Sequence, residues 1–501
     1  MPNRLATPAA TEAYLARHSD IHSSVLGRTG LHVSGAGFGG YRVSVGVEGH
    51  HNALGRALAS GINLVDTSTN YADGGSEGLV GSVIAELARQ GGSAREEIVI
   101  VTKAGYLQGS NYELARTRLE EGSGFPDMVE YGPGLWHCIA PEFLHDQLTR
   151  SLQRLQLPAV DVLLLHNPEY YLSWAQKKGV PLEEAQREYY RRIRDAFVHL
   201  EKEVDEGRIG YYGISSNSFP HAADAPDFTS LEEVIRIADG IQLNNHFAVI
   251  QFPANLVESG FVAERNQSDG STLIEIARRR NLGVLINRPL NAITDGRVVR
   301  LADFPLSGVP VTEEEIRLKI AELQQEERDF LEESLESFSA DAEGALALKE
   351  FLAVGTTMGR NWETFETMEH FNDVLSQHFA PRLGFVAQYL REHGTQEHLD
   401  WYTAYMNGVR ALIHAVGAYY SAGAQRRSDR MKGRIAELLE APATGTLSSL
   451  AIRLLLGVEG VDTVLVGMRR EEYVDDVVAA LREGPLGDEE LWKSLAAAES
   501  L

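Results

Sequence analysis

Three short apolar runs each stop on a residue able to carry or share a proton: "INLVD" on Asp66, "IVIVTK" on Lys103 and "VLLLH" on His166. Tyr71 follows the first of them by five residues. A phenol, with a reference pKa of about 10, is a poor acid–base group at neutral pH unless its anion is stabilised, and a nearby ammonium does that. Lys103 is therefore expected to lower the pKa of Tyr71, with Asp66 holding the lysine and His166 offering a hydrogen bond to a reacting oxygen. Singly, each residue has a structural reading. Asp66 could cap a turn, Lys103 could end a solvated strand, and His166 could sit satisfied in a core. Their combination is hard to obtain by packing alone.

The elements that must position them are readable as a repeating pattern. Apolar runs begin at Val33 ("VSGAGFG"), Ile62 ("INLVDT"), Glu97 ("EIVIVTK"), Val160 ("VDVLLLH"), Ile209 ("IGYYGIS"), Gly240 ("GIQLNN"), Leu282 ("LGVLINRP") and Val461 ("VDTVLVG"). Continuous apolar runs suit strands buried on both faces, and the segments between them, such as "SEGLVGSVIAELARQ" and "PEFLHDQLTRSLQRLQ", have amphipathic helical spacing. Eight strand–helix alternations predict an α/β fold, a parallel (β/α)8 barrel, whose chemistry gathers where the strands end.

Composition sets the surroundings. The chain has 501 residues, of which 44% are hydrophobic, enough for a substantial globular core. With 71 acidic against 46 basic residues its formal charge of -25 opposes binding to nucleic acid or to an anionic membrane surface. A single cysteine, Cys138, fits a reducing compartment, and the N-terminal stretch has no long apolar run, so a cytoplasmic location is expected.

Taken in order, these motifs resemble the aldo-keto reductase family. "RTGLHVSGAGFGGYRV" is similar to its opening hairpin and first strand, "GINLVDTSTNYADGGSEGLVG" to its second strand, "IVTKAG" to its lysine strand and "LQRLQLPAVDVLLLHNPE" to its histidine strand. "GRIGYYGISSN" resembles the fifth strand, and "LSSLAIRLLLGVEGVDTVLVGMRREEYVDDVVAAL" the last helix, last strand and nucleotide-binding tail. The resemblance implies an NAD(P)-dependent oxidoreductase that transfers a hydride between a nicotinamide and a carbonyl or alcohol, such as an aldehyde, a ketone or a sugar-like aldose. Asp66, Tyr71, Lys103 and His166 would be its catalytic set. The alternative is a nucleotide-binding barrel serving as a regulatory or scaffold subunit.

The same resemblance implies cofactor contacts at Gly40, Tyr41, Asp66, Asn167, Ser215, Ser216 and Gln242, the last as the glutamine of strand six. It adds Asn287, Arg288, Pro289 and Leu290, where Asn287 stands in place of a stacking aromatic. In the tail it implies Gly467, Met468, Arg469, Arg470, Tyr473 and Asp476, with Arg469 or Arg470 placed to pair with a 2′-phosphate. NADP is therefore the expected cofactor, with NAD also compatible. Tyr41, Tyr106 and Trp136 are expected to line the substrate pocket, and no metal is expected.

Two glycine motifs lie in the wrong context. Gly35, Gly37 and Gly40 open no immediate helix, and Ser76 in "GGSEG" is separated from its strand, so it is read as a helix cap rather than a nucleophile. The pair His50–His51 lacks ligand spacing and is read as surface. The barrel is expected over residues 1–290 and 446–501. Between them, residues 291–445 carry apolar residues at helical spacing beside charged faces, predicting an all-helical insertion that serves as a lid, a partner site, a homo-oligomer interface or passive cover.

Overall fold

The computed structural model describes residues 5–294, 297–304, 311–338, 341–365 and 367–497; residues 1–4 and 498–501, at the outer ends of the expected barrel segments, lie outside them. By its contacts the chain divides into two units, one of residues 1–290 and 437–500, the other of residues 291–436.

The first unit is a closed barrel of eight parallel strands. In chain order they are β1 (Ala36–Gly39), β2 (Leu64–Asp66), β3 (Val99–Ala104), β4 (Val160–His166), β5 (Ile209–Ser215), β6 (Phe247–Pro253), β7 (Gly283–Asn287) and β8 (Thr463–Val466). Each is followed or preceded by an amphipathic helix: α1 (Glu48–Ala59), α2 (Gly75–Gln90), α3 (Pro141–Leu155), α4 (Leu182–Asp205), α5 (Leu231–Ile241), α6 (Leu273–Arg279), α7 (Leu447–Leu456) and α8 (Glu471–Glu483). Strands β3, β4 and β6 are buried along their whole length, as continuous Val/Ile/Leu runs covered by helices require.

Inward-facing Leu64, Val99, Val101, Val162, Leu164, Val249, Leu285 and Leu465 form one buried cluster. Leu26, Leu31 and Val33, from the antiparallel hairpin of Ser23–Val25 and His32–Ser34, complete it and close one end of the barrel. Gly27 in that hairpin has φ +43°, and a Cβ there would lie 2.2 Å from the Gly283 nitrogen, so only glycine fits where the hairpin meets β7.

The sixth strand corrects the sequence reading. "GIQLNN" is not a strand: Gly240 and Ile241 end helix α5, Gln242 caps it, and Leu243 is 88% exposed. The strand is the next apolar run, "FAVIQFP", in which every residue is buried.

Two further excursions leave the barrel. Residues Tyr106–Leu107, Leu135–His137 and Val129–Gly132 form a three-stranded antiparallel sheet that includes the helix Ser110–Glu120 in its connections, and the helix Tyr170–Lys177 follows β4.

The second unit starts with an antiparallel hairpin, Asn291–Thr294 with Arg297–Arg300, so it is not wholly helical. Helices follow at Glu313–Ser334, Ala342–Phe351, Val354–Asn361, Met368–Val374, Ala380–His393 and Gln396–Leu439. They bury their own core, including Ile316, Leu323, Phe330, Trp362, Phe371, Val386, Tyr405 and Val416. No described helix is long and apolar enough to cross a membrane.

Candidate active site

Parallel pairing sets the strand ends against one another. Asp66 registers with Val101, Lys103 with Leu164, His166 with Ser215, and Ser215 with Gln251. The polar residues that end neighbouring strands therefore share one rim, as a barrel with a single strand direction demands.

Lys103 is fully buried, and its ammonium donates to Asp66 Oδ2 (2.7 Å), to the Thr67 carbonyl (3.0 Å) and to Tyr71 Oη (3.2 Å). An ammonium has three protons, so every donor is used and the lysine is held in one place. Asp66 is fixed from its other side, where Gln251 Nε2 donates to Oδ1 (2.9 Å). Tyr71 lies just before a tight turn in which Ala72 (φ +50°) and Asp73 (φ +53°) are both left-handed. That conformation is held from outside, because Asp73 Oδ1 accepts from the Ser110 amide (3.0 Å) and hydroxyl (2.8 Å).

Burial governs the protonation of these groups. It pushes the Tyr71 phenol up, and the opposing pull of Lys103 does not overcome it, so the net shift is opposite to the lowering expected from residue types. Burial lowers Lys103, but Asp66 and Tyr71 outweigh it and the ammonium is held above its ordinary range. Asp66 is raised by burial, with Lys103 and Gln251 pulling it back. Burial, then Lys103 and His137, hold His166 well below the usual histidine range, so its imidazole is neutral.

His166 Nδ1 pairs with Ser68 Oγ (3.0 Å), and its ring lies edge-on to Tyr106 (4.6 Å between centroids) and Tyr71 (5.8 Å). Asn167, with φ +52°, donates from its amide to the Ser215 carbonyl (2.7 Å) and from Nδ2 to Tyr106 Oη (2.7 Å). Ser215 Oγ donates to Gln251 Oε1 (3.0 Å). Ser216 Oγ and the Asn217 amide donate to the buried Glu169 carboxyl (2.9 and 2.8 Å), which burial pushes up to about 7. Asn287 Nδ2 donates to Gln251 Oε1 (3.3 Å), whereas its buried Oδ1 has no partner among the described residues. That orphaned acceptor beside Ser215 and Gln251 fits an incoming amide donor of the kind a nicotinamide carboxamide carries.

Among the other expected contacts, Gln242 is the one placed differently. Gln242 is tied to Glu201 (2.7 Å), away from Asp66, and Gln251 holds the position expected of it. Gly40 donates its amide to the Asp66 carbonyl (2.8 Å), and a Cβ there would lie 2.5 Å from Ser76 Oγ. Exposed Tyr41 stands edge-on to Tyr71 (5.3 Å), whereas Trp136 packs on Tyr112 (5.0 Å). Arg288 pairs with Glu258 (2.6 Å), Pro289 is buried and Leu290 half-buried.

Beyond β8, Gly467 is exposed, Met468 is fully buried, Arg469 is half-buried and Arg470 precedes α8 as its cap residue. Tyr473 is exposed, and Asp476 accepts from Thr446 Oγ1 (3.1 Å) and Ser448 Oγ (2.9 Å) at the start of α7.

Ser76 lies inside α2 and accepts from Thr67 Oγ1 (2.8 Å), so it is not the cap expected of it. His51 pairs with Glu86 (2.8 Å). On α3 and α4, ring nitrogens of His145 and His199 and a carboxylate oxygen of Glu203 lie within 4.8 Å of one another, and Arg208 pairs with the same carboxylate (3.1 Å).

Sequence reasoning missed Ser68, Asn70, Gln108, Glu169 and Gln251. Only Gln251 left a signal, as a lone amide inside an otherwise apolar strand.

A profile described as the aldo/keto reductase family matches residues 36–295, slightly more than half of the chain. The chain is 33% identical over 195 residues to the Schizosaccharomyces pombe protein named "Putative voltage-gated potassium channel subunit beta", covering 38% of this chain and 44% of that one. It is 26% identical over 175 residues to the Escherichia coli NADH-specific methylglyoxal reductase, covering 34% of this chain and 42% of that one. The chain thus spans less than half the length of these two curated relatives. An aldo-keto reductase structure from Bacillus halodurans aligns with 96% of this chain and 98% of its own, at 17% identity and a TM-score of 0.45.

Proposed function

The chain belongs to the aldo/keto reductase family, and from that footing we propose that it interconverts a small-molecule carbonyl, an aldehyde, ketone or aldose, with its alcohol, using NADP in preference to NAD. The observation that carries this reading is the contact of Tyr71 Oη with the Lys103 ammonium at 3.2 Å, backed by Asp66 at 2.7 Å.

The nicotinamide supplies the hydride. The chain's own part is the proton. When charge develops on the carbonyl oxygen, the Tyr71 hydroxyl gives up its proton to it, and the Lys103 ammonium stabilises the phenolate left behind. Burial holds Tyr71 protonated beforehand, which suits an acid. Asp66 and Gln251 keep Lys103 from reorienting. A neutral His166 can share a hydrogen bond with the substrate oxygen without adding a charge.

Ser215, Ser216, Gln251 and Asn287 are the residues we assign to the carboxamide, and Arg469 or Arg470 to a 2′-phosphate. The test is a panel of aldehydes, ketones and aldoses with NADPH and NADH, followed at the nicotinamide absorbance, with the corresponding alcohols run in reverse. Nucleotide binding without turnover of any of them would favour the regulatory reading, to which the name of the yeast relative also points.

A further inference from the structure

His145 on α3, and His199 and Glu203 one turn apart on α4, bring three lone-pair donors together. His145 Nδ1, His199 Nε2 and a Glu203 carboxylate oxygen all lie within 4.8 Å of one another. Glu203 Oε1 is 2.9 Å from His145 Nδ1 and 3.1 Å from His199 Nε2, and the two rings stand 6.1 Å apart between centroids. Arg208, just past the end of α4, reaches the same spot. Its Nη1 lies 3.1 Å from His145 Nδ1 and 3.1 Å from Glu203 Oε2, and its Nη2 donates to Thr149 Oγ1 (2.7 Å).

These groups do not satisfy one another. Burial raises the Glu203 carboxyl, but His199, His145 and Arg208 outweigh it and hold it below its ordinary range, so it is charged. His145 Nδ1 therefore sits between a guanidinium, which can only donate, and a carboxylate, which can only accept. With a proton, Nδ1 faces the arginine N–H; without one, it faces the carboxylate lone pairs. Turning the ring over puts carbon there and forfeits both contacts. His199 Nε2 and Glu203 Oε2 are buried atoms with no hydrogen-bond partner among the described residues, although only 2% of the Glu203 side chain is exposed.

We propose that His145, His199 and Glu203 form a binding site for one divalent cation of the Zn2+ type, with Arg208 holding its place when no metal is bound. Two imidazole nitrogens and a carboxylate oxygen are ligands that zinc takes, with water as the fourth. A cation among the three lone pairs converts a set that repels or misses into three bonds, and Nδ1 then needs no proton. The guanidinium must swing off Glu203, and its bond to Thr149 gives it an anchor when it does. The formal charge of -25 eases the addition of a dication. The ion ties α3, which leads into β4 and His166, to α4, which leads into β5 and Ser215. It is a clamp on the scaffold, so its test needs no substrate. Only His199 and Glu203 stand at helical spacing in the chain; His145 comes from another helix, and the site exists only once the barrel has formed.

The test uses the full-length protein, stripped with a chelator, then titrated with Zn2+ by calorimetry and with Co2+ as a visible-absorbing probe. The parent is expected to bind one Zn2+ per chain, to give the Co2+ absorption of a four-coordinate site, and to melt at a higher temperature with zinc, because an ion held only by the folded state stabilises it. His145→Gln, a change at an exposed position, and His199→Gln should each weaken Zn2+ on the order of tenfold or more, since a lost ligand costs at least as much as a lost partner of one. Arg208→Gln should bind it more tightly than the parent, because the competing charge is gone. A parent that takes up no stoichiometric Zn2+, or binding that neither histidine variant weakens, overturns the site. An Arg208→Gln protein that binds zinc no better than the parent overturns the exchange of arginine for metal.

Discussion

Replacing Tyr71 by Phe removes one hydroxyl and leaves the ring that packs against Tyr41 and His166. Turnover should fall on the order of a hundredfold or more, with nucleotide Kd unchanged in a fluorescence titration; parent-like rates would assign the proton to another group. Lys103 is a poorer target. Its loss strands the buried Asp66 carboxylate and costs stability as well as activity, on the order of 3–5 kcal/mol for a buried pair broken on one side.

Glu169 gives a pH signature of its own. Its folded pKa, about 7, lies above the usual carboxyl value of 4.5. The folded state therefore binds this proton more tightly than the unfolded chain. The sign follows: the contribution is fully present below about 4.5 and is lost as pH rises through about 7. Between pH 5 and 8 the parent should lose on the order of 1–3 kcal/mol that Glu169→Gln does not lose, as read by denaturant melts. Parallel slopes for the two proteins would rule out this titration.

Asp66, Lys103 and His166 were legible because each interrupts an apolar run at its end. Ser68, Asn70 and Gln108 were not. They lie in loops where polar residues are ordinary, and only the folded chain brings Gln108 to Asn70.

At the scale of elements, the sixth strand shows how a sequence reading slips. Ile241 continues the apolar face of α5 while Gly240 is exposed, and the alternation of Ile241, Gln242 and Leu243 after a glycine mimics the start of a strand. The true strand begins six residues after Ile241, and its polar Gln251 faces the barrel interior. The other strands were legible because each apolar run is bounded by segments with helical spacing. The shift has a measurable consequence. Gln251→Leu deletes the donor to Asp66 and the acceptor for Ser215 and Asn287, leaving buried partners unmatched at a cost of about 1–3 kcal/mol. It should weaken NADPH binding and lower turnover together. Gln242→Leu, which loses only a half-buried bond to Glu201, should leave both near the parent values. If Gln242→Leu were the damaging change, the strand register described above would be wrong.

At the scale of the molecule, helical spacing marked residues 291–445 as structured, but it could not indicate the hairpin that opens them, whose strands are only four residues each. The helices bury a core of their own. Phe330 stacks on Trp401 at 3.8 Å, and Tyr420, Phe365 and Phe371 pack ring to ring. Glu327 ties three segments together: its carboxylate accepts from the Gly355 amide (2.7 Å) and from Tyr405 Oη (2.8 Å), buried at the junction of the helices Glu313–Ser334, Val354–Asn361 and Gln396–Leu439. A segment with a core of its own and a buried carboxylate satisfied from within, as Glu327 is, meets the requirements for folding by itself. Residues 291–436 expressed alone should therefore give a helical circular-dichroism spectrum and a cooperative thermal transition. Glu327→Ala in that fragment leaves a buried amide and a buried phenol unpaired, and should cost about 1–3 kcal/mol. A fragment that melts without cooperativity, or one indifferent to Glu327, would mean that this core does not hold without the rest of the chain.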